Sequence, residues 1–128
     1  VYSSVWKGNI ELTNSWLNIN KKNSQNIMHI HPNSILSGCF YIKVPKNSGN
    51  LTIVRNSFDQ FIYQEYGNTH KNEKGEQILT SFTADMFSFI PKVGDIYIFP
   101  SHIQHQVSIN ETNKSRISIA FNTTRTDK

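Results

Sequence analysis

The sequence contains one cysteine, four prolines, six glycines and no long hydrophobic run in 128 residues. The lone Cys39 cannot form an internal disulfide, which is typical of a protein from a reducing compartment. Its position in an apolar run predicts a buried, inert thiol. No stretch approaches the ~20 apolar residues that a membrane helix needs, and the N-terminus lacks a secretion-signal pattern. We therefore expect a cytoplasmic protein with no membrane partner.

Charge of one sign is also scarce. Thirteen basic and nine acidic residues give a net charge of +4, and the lysines are scattered along the chain. A nucleic-acid-binding domain would instead cluster its basic residues on one face, with aromatic residues between them. We therefore expect no nucleic-acid partner.

A sustained apolar period of 3.6 residues is absent, and so are internal repeats. Short segments of alternating or β-branched residues take their place, separated by turn-forming clusters. The clearest segments are 15–20, 35–44, 51–54, 86–90, 96–99, 104–109 and 115–122. Counting weaker segments such as 9–13, about eight to ten short strands predict an all-β sandwich or barrel. The length predicts a single domain over 1–128, which is either a whole protein or the catalytic portion of a longer chain.

Two histidines at positions i and i+2 precede a proline in a segment that otherwise resembles a strand. Alternation along a strand places His29 and His31 on the same face, and neutral imidazole is a common metal ligand. The alternative is that the two histidines lie on one face of the strand by chance and bind no metal. A metal would need a third ligand, for which His105 is the best candidate and His102 the competitor. We expect all of these at a sheet rim.

The last predicted strand carries an arginine on its polar face. Arg116 and Ser118 share that face, whereas the other face carries Ile117, Ile119 and Phe121. A guanidinium can bind a carboxylate through two parallel hydrogen bonds, and a neighbouring hydroxyl can add a third. A surface arginine on an exposed sheet face is the alternative.

These motifs together resemble a known family. They are His-x-His-Pro at 29–32, Ser-Gly-Cys-Phe-Tyr at 37–41, Pro-x-x-Gly-Asp at 91–95, Phe-Pro-Ser at 99–101 with His105, and Arg-Ile-Ser-Ile-x-Phe-Asn at 116–122. The combination resembles the 2-oxoglutarate/Fe(II)-dependent oxygenases of bacteria and phages, which are relatives of the prolyl hydroxylases. The resemblance covers roughly residues 16–122. It implies a double-stranded β-helix, the cupin-like jelly-roll barrel, with iron at one open end.

The resemblance also implies an activity and its residues. The chain would be an enzyme, a non-haem dioxygenase that uses Fe(II), 2-oxoglutarate and O2 to hydroxylate a small-molecule or peptidyl substrate, with release of succinate and CO2. His29 and His105 match iron ligands of the family. Arg116 and Ser118 match the pair that binds 2-oxoglutarate, and Tyr41 matches a strand tyrosine that helps to hold it.

The sequence departs from the family's pattern at His31. The wider superfamily has Asp or Glu at this position, which gives two histidines and one carboxylate on one face of the iron. We expect a catalytic metal site formed by His29, His31 and His105, unless an acid elsewhere, such as Asp85 or Glu65, completes the set. We expect residues 58–82 to form a mobile lid or a substrate-facing loop, and the sequence leaves homo-oligomerisation open. Arg55, just past a strand end, is a possible substrate contact.

Two alternatives remain open from the sequence. A cupin-type metal enzyme that does not use 2-oxoglutarate would share the jelly roll, and Gly94, Pro100 and His105 are close to its second motif. Its first motif needs a glutamate after His-x-His, which residues 33–36 do not supply, and a cupin gives the Arg-x-Ser pair no role. A non-enzymatic β-sandwich binding module is the third hypothesis, and it leaves the rim histidines unexplained.

Overall fold

The structure is a computed structural model that describes residues 9–54, 72–76 and 86–126. Eight β-strands account for most of these residues. They are β1 (Asn9–Asn20), β2 (Asn26–His29), β3 (Leu36–Lys43), β4 (Leu51–Val54), β5 (Met86–Phe89), β6 (Ile96–Pro100), β7 (Gln104–Val107) and β8 (Arg116–Thr126). The described part of the chain contains no helix long and apolar enough to cross a membrane.

The strands form two four-stranded sheets with interleaved connections. One sheet has the order β1-β8-β3-β6 and the other β2-β7-β4-β5, and every pairing is antiparallel. Consecutive strands therefore alternate between the sheets over much of the chain, as in a double-sheet jelly roll. This arrangement confirms the predicted all-β jelly-roll fold.

Strand boundaries differ from the prediction at several places. The segments 9–13 and 15–20 are one strand, β1, whose register with β8 shifts between Leu12 and Asn14. Alternation breaks at that shift, which is why the sequence suggested two strands. Residues 1–6, which alternate loosely in the sequence and could form a further short strand, and the aromatic-rich residues 58–66, whose pattern is ambiguous, lie outside the described residues.

The sheet β1-β8-β3-β6 turns its polar face inward. Arg116 and Ser118 are buried, with 1% and 4% of their surfaces exposed. The opposite face carries apolar side chains in register across four strands, in the row Leu17–Ile119–Phe40–Ile96. Three residues of this row are exposed: Leu17, Phe40 and Ile96. The space between the sheets therefore combines apolar and aromatic side chains with a few polar groups, as is typical of a ligand-binding pocket.

Glycine at position 38 allows a close approach on the apolar face. A Cβ at Gly38 would collide with the Phe121 ring and lie 2.7 Å from the carbonyl oxygen of Tyr97. Gly38 pairs with both Phe121 and Ile98 across its two neighbouring strands. The glycine is therefore required by the close approach of the neighbouring strands.

Candidate functional site

Three histidines meet at one end of the space between the sheets. His29 ends β2 and lies directly opposite His105 on β7. His31 lies two residues beyond the end of β2, and its backbone N–H donates to the carbonyl of Ser101 at 2.9 Å. The strand therefore ends earlier than predicted, but the hydrogen bond to Ser101 still directs His31 to the rim. The ligand atoms of the three imidazoles all lie within 4.8 Å of one another.

Backbone carbonyls fix the orientation of two of these rings. Nδ1 of His29 lies 2.7 Å from the carbonyl oxygen of Ile27, and Nδ1 of His105 lies 2.9 Å from that of Ile103. A carbonyl oxygen can only accept a hydrogen bond, so each Nδ1 must carry the proton. The neutral form of each ring therefore has its lone pair on Nε2. Metal-binding histidines are commonly held in this way.

The third ring completes a geometry that suits a metal ion. Nε2 of His31 lies 3.1 Å from Nε2 of His105. Two lone pairs this close repel, so a proton or a cation must lie between them. With metal–nitrogen bonds of about 2.1 Å, two ligands at right angles are about 3.0 Å apart. The pair therefore fits neighbouring positions of an octahedral ion, which would leave positions free for other ligands.

Burial lowers the pKa of two of these imidazoles, His105 and His31. His105 is 4% exposed, and burial lowers its pKa to about 4, with the nearby His29 and His31 lowering it further and the Ile103 carbonyl opposing. Burial also lowers the pKa of His31, assisted by the charge that His29 would carry. Neutral imidazole is the form that binds metals. At neutral pH these two histidines are already neutral, so they release few protons when a metal binds.

Other residues considered for this site are either outside the histidine cluster or outside the described part of the chain. His102 is exposed on the turn before β7 and does not belong to the histidine cluster. Asp85, Glu65 and Arg55 lie outside the described residues. Of the proposed loop 58–82 the structure describes only 72–76, which is an exposed turn.

Arg116 lies in the same pocket as the histidines, at its opposite end. Its Nη1 donates to the backbone carbonyl of Ser48, and its Nη2 lies 3.5 Å from Oδ1 of Asn26. Both partners are uncharged, and among the residues that the structure describes these two bonds leave three of the five guanidinium N–H donors unused. A buried cation normally pairs with an acid, so this arginine is suited to receive a carboxylate from a ligand.

The approach of the Ser48 loop to Arg116 depends on a glycine. Gly49 has φ of +101°, and a Cβ there would lie 2.5 Å from Nη1 of Arg116 and collide with the carbonyl of Ser108. Any other residue would strain this loop and push the guanidinium away. Gly49 was not singled out from the sequence.

Tyr41 and Ser118 face the same pocket from paired positions on β3 and β8. The Tyr41 hydroxyl is buried and makes no hydrogen bond within the described residues, and neither does the buried Ser48 hydroxyl. Burial raises the pKa of Tyr41 well above its ordinary value, with the neighbouring Cys39 raising it further, so the hydroxyl keeps its proton. An unpaired buried hydroxyl is costly, which favours a ligand that accepts from it.

Cys39 differs from the prediction of an inert core thiol. It is half-buried and lines the pocket between Tyr41 and the histidines. Burial raises its pKa, although the charge of Arg116 opposes this, so it remains a neutral thiol.

Sequence reasoning missed three polar or aromatic residues that line this pocket, namely Trp16, Asn18 and Asn26. The Trp16 ring lies 5.9 Å from that of His31, centroid to centroid. Asn26 is fixed by Nδ2 of Asn20 at 3.2 Å. Asn18 pairs in register with Ser118, and its side chain makes no hydrogen bond within the described residues. The alternation of 15–20 indicated that Trp16 and Asn18 share a face, but not which face is inward.

A buried hydrogen-bond network supports the rim next to His31. The hydroxyl of Ser37 lies 2.7 Å from that of Ser101 and donates to Oδ1 of Asn122 at 2.7 Å. All three residues are buried. The Ser101 carbonyl accepts a hydrogen bond from the His31 backbone N–H. The network therefore supports His31, a candidate metal ligand, although its own three residues do not line the pocket.

The chain was compared with known proteins. A family model described as "Putative 2OG-Fe(II) oxygenase" matches residues 14–122. No curated protein sequence matches the chain. The family match confirms the family expected from the motifs, and it favours an oxygenase over a cupin or a binding module.

Solved structures show the same fold at low sequence identity. An oxidoreductase of the 2OG-Fe(II) oxygenase family from Burkholderia pseudomallei is 13% identical with a TM-score of 0.67, over 94% of this chain and 47% of its own. The alpha-ketoglutarate-dependent epimerase SnoN from nogalamycin biosynthesis is 13% identical with a TM-score of 0.61, over 90% and 49%. A Pseudomonas putida prolyl-4-hydroxylase is 13% identical with a TM-score of 0.51, over 88% and 51%. The chain thus spans about half the length of these proteins.

Proposed function

Because the chain belongs to the 2OG-Fe(II) oxygenase family, we propose that it is an Fe(II)- and 2-oxoglutarate-dependent oxygenase. The proposed reaction hydroxylates a C–H bond of a small-molecule or peptidyl substrate, consumes O2 and releases succinate and CO2. The epimerase and the prolyl hydroxylase among the similar structures act on different substrates, so the fold does not select one.

The observation that carries the proposal is that one pocket holds both three converging imidazoles and a buried arginine with no acidic partner among the described residues. His29, His31 and His105 offer the metal ligands. Arg116 lines the same pocket, and its two hydrogen bonds use only neutral acceptors. A dicarboxylate that chelates a metal through one end and pairs with a cation through the other fits this arrangement.

Each residue has a distinct part in this proposal. The three histidines hold the metal on one side, and the carbonyls of Ile27 and Ile103 hold two of their rings in the binding orientation. The bound iron supplies the oxidative chemistry that protein side chains lack.

The far carboxylate of 2-oxoglutarate pairs with Arg116 at the other end of the pocket. Ser118 adds a hydroxyl donor from the same strand, and Tyr41 adds the proton of its unpaired hydroxyl. The buried setting strengthens these bonds, because few water molecules compete for the donors. Their main function is to hold the cosubstrate in one orientation against the metal.

Anaerobic titration of the Fe(II)-loaded protein with 2-oxoglutarate tests the proposal. Chelation by the 2-oxo acid should produce the weak visible metal-to-ligand charge-transfer band. Arg116→Gln should raise the dissociation constant for 2-oxoglutarate at least ~10-fold, because it removes charge-assisted hydrogen bonds, while metal content stays the same. Arg116→Lys keeps the charge but loses the two-pronged geometry, so we expect a smaller loss.

Two further variants complete the design. His105→Ala should lose both the metal and the band. Arg125→Gln, on the exposed end of the same strand, should leave both unchanged. If metal binds to the wild-type protein but 2-oxoglutarate never produces the band, the proposed function is wrong.

A further inference from the structure

Among the described residues that line the pocket, the charges do not balance when metal and 2-oxoglutarate are bound as proposed. A divalent ion and the Arg116 guanidinium carry three positive charges between them, and the dianion of 2-oxoglutarate neutralises two. The three imidazoles are neutral ligands. An iron site with two histidines and a carboxylate would cancel the last charge through the carboxylate, but here His31 occupies that position.

No nearby acid within the described residues supplies the missing charge. Among the described residues that line the pocket, Arg116 is the only charged side chain, and none is Asp or Glu. His105, Arg116 and Tyr41 are all buried, so water reaches this region poorly. An uncompensated charge in such surroundings attracts an anion more strongly than it would in water.

The side of the metal site next to His31 has room and a donor for such an anion. Trp16 lies beside His31 and is 37% exposed, so this part of the pocket opens to solvent. Trp16 pairs in register with Ala120, whose methyl group occupies little space. The indole N–H of Trp16 makes no hydrogen bond within the described residues, and it can only donate.

From these observations, and resting on the function proposed above, we propose that the primary substrate carries an anionic group, of carboxylate type, that binds beside the metal between His31 and Trp16. The excess positive charge left by the three-histidine site attracts this group. The indole N–H of Trp16 donates a hydrogen bond to it. In this interpretation His31 determines substrate charge as well as binding the metal.

A fluorine NMR experiment tests this proposal without requiring turnover. Trifluoroacetate and the neutral trifluoroacetamide are similar in size and differ in charge. Each is titrated anaerobically into protein loaded with Fe(II) and saturated with 2-oxoglutarate, and broadening of its fluorine line by the paramagnetic iron reports binding near the metal. We expect the anion to bind at least ~10-fold more tightly than the amide.

Three variants locate the effect. His31→Asp supplies the missing negative charge and should reduce the preference for the anion to less than ~3-fold. His102→Asp makes the same change on the exposed turn outside the cluster and should retain the wild-type preference. Trp16→Phe keeps an aromatic ring without the N–H, and should weaken anion binding severalfold while 2-oxoglutarate binds as before.

The outcomes separate this inference from the proposed function. Absence of the charge-transfer band in the wild-type protein would remove the proposed function and this inference with it. If the band forms but both probes bind equally, or neither broadens, the anionic substrate is wrong and the oxygenase stands. If His31→Asp retains the full preference, or Trp16→Phe has no effect on it, the placement beside these residues is wrong.

Discussion

Individual side chains in this protein are tuned by burial more than by charged neighbours. His105 shows this most clearly, because burial is the largest cause that lowers its pKa to about 4. Arg116 shows it too, since burial lowers its pKa against the opposing influence of Tyr41 and Cys39. The guanidinium remains charged, because its ordinary pKa is far above neutral. The site therefore presents neutral imidazoles at one end and a fixed cation at the other.

The lowered pKa of His105 predicts a stability that depends on pH. In the unfolded chain this imidazole takes up its proton near pH ~6.5, whereas the native protein binds it only near pH 4. Between these values the unfolded state holds more protons, so the free energy of unfolding falls as the pH is lowered. We expect the urea midpoint of the metal-free protein to be lower at about pH 5 than at about pH 7.

Two variants check the assignment to this residue. His105→Gln removes the titrating group, so the difference between the two midpoints should become smaller. His102→Gln, on the exposed turn, should keep the wild-type difference. An equal pH dependence in the wild-type protein and His105→Gln would show that other groups cause it.

At the scale of elements, the turn between β7 and β8 determines where Arg116 enters the barrel. Asn110 is fully buried in this turn, and its Nδ2 donates to the carbonyls of Asn20 and Lys114 at 2.9 and 2.8 Å. Its Oδ1 accepts from the N–H of Thr112 at 3.0 Å. The side chain thus connects the end of β1 to the turn that precedes Arg116.

Loss of this connection should destabilise the fold and displace the arginine. Asn110→Ala leaves two carbonyls and one N–H without their partner, so we expect the free energy of unfolding to fall by about 1–3 kcal/mol. Asn113→Ala changes an exposed residue of the same turn and should stay within about 0.5 kcal/mol of the wild type. Chemical denaturation of both variants measures the difference. Equal losses would show that the buried amide has no special role.

The same elements show what the sequence could and could not predict. The histidines, Arg116, Ser118 and Tyr41 could be predicted as a set, because the motif matches a family and alternation places residues two apart on one face. Alternation alone does not indicate which face is inward. The usual preference for apolar interiors would have predicted the wrong orientation of this sheet, because here the apolar row faces outward and the polar face is buried.

Trp16 and Asn26 illustrate a second limit. Their contribution depends on the pairing of β1 with β8 and of β2 with β7, which the printed sequence does not specify. Asparagine is frequent throughout the chain, so a single Asn in a strand does not indicate a residue that lines a pocket. Only the register brings Asn26 next to the guanidinium and Trp16 next to His31.

For the whole molecule, the polar interior implies that ligands contribute much of the stability. The large apolar side chains that are buried among the described residues are few, namely Tyr41, Leu51 and Phe99. Within the described part of the chain, the interior also holds an arginine with no acidic partner and two hydroxyls with no hydrogen-bond partner. Such groups cost free energy until something binds to them. Metal and cosubstrate should therefore stabilise the folded protein together.

Thermal unfolding under anaerobic conditions measures this contribution. At about 100 times its dissociation constant, a ligand that binds only the native state adds about 2.7 kcal/mol, which for a chain of this size raises the Tm by roughly 10 °C. We expect such a rise when 2-oxoglutarate is added to the Fe(II)-loaded protein.

Glutarate has both carboxylates but lacks the 2-oxo group that completes the chelate, so its effect on the Tm should be smaller. Arg116→Gln should keep the rise caused by Fe(II) and lose most of the rise caused by 2-oxoglutarate, and a chelator should reverse both in the wild type. If 2-oxoglutarate raised the Tm equally without metal, its binding would not depend on the histidines, and the two ends of the pocket would not act on one ligand.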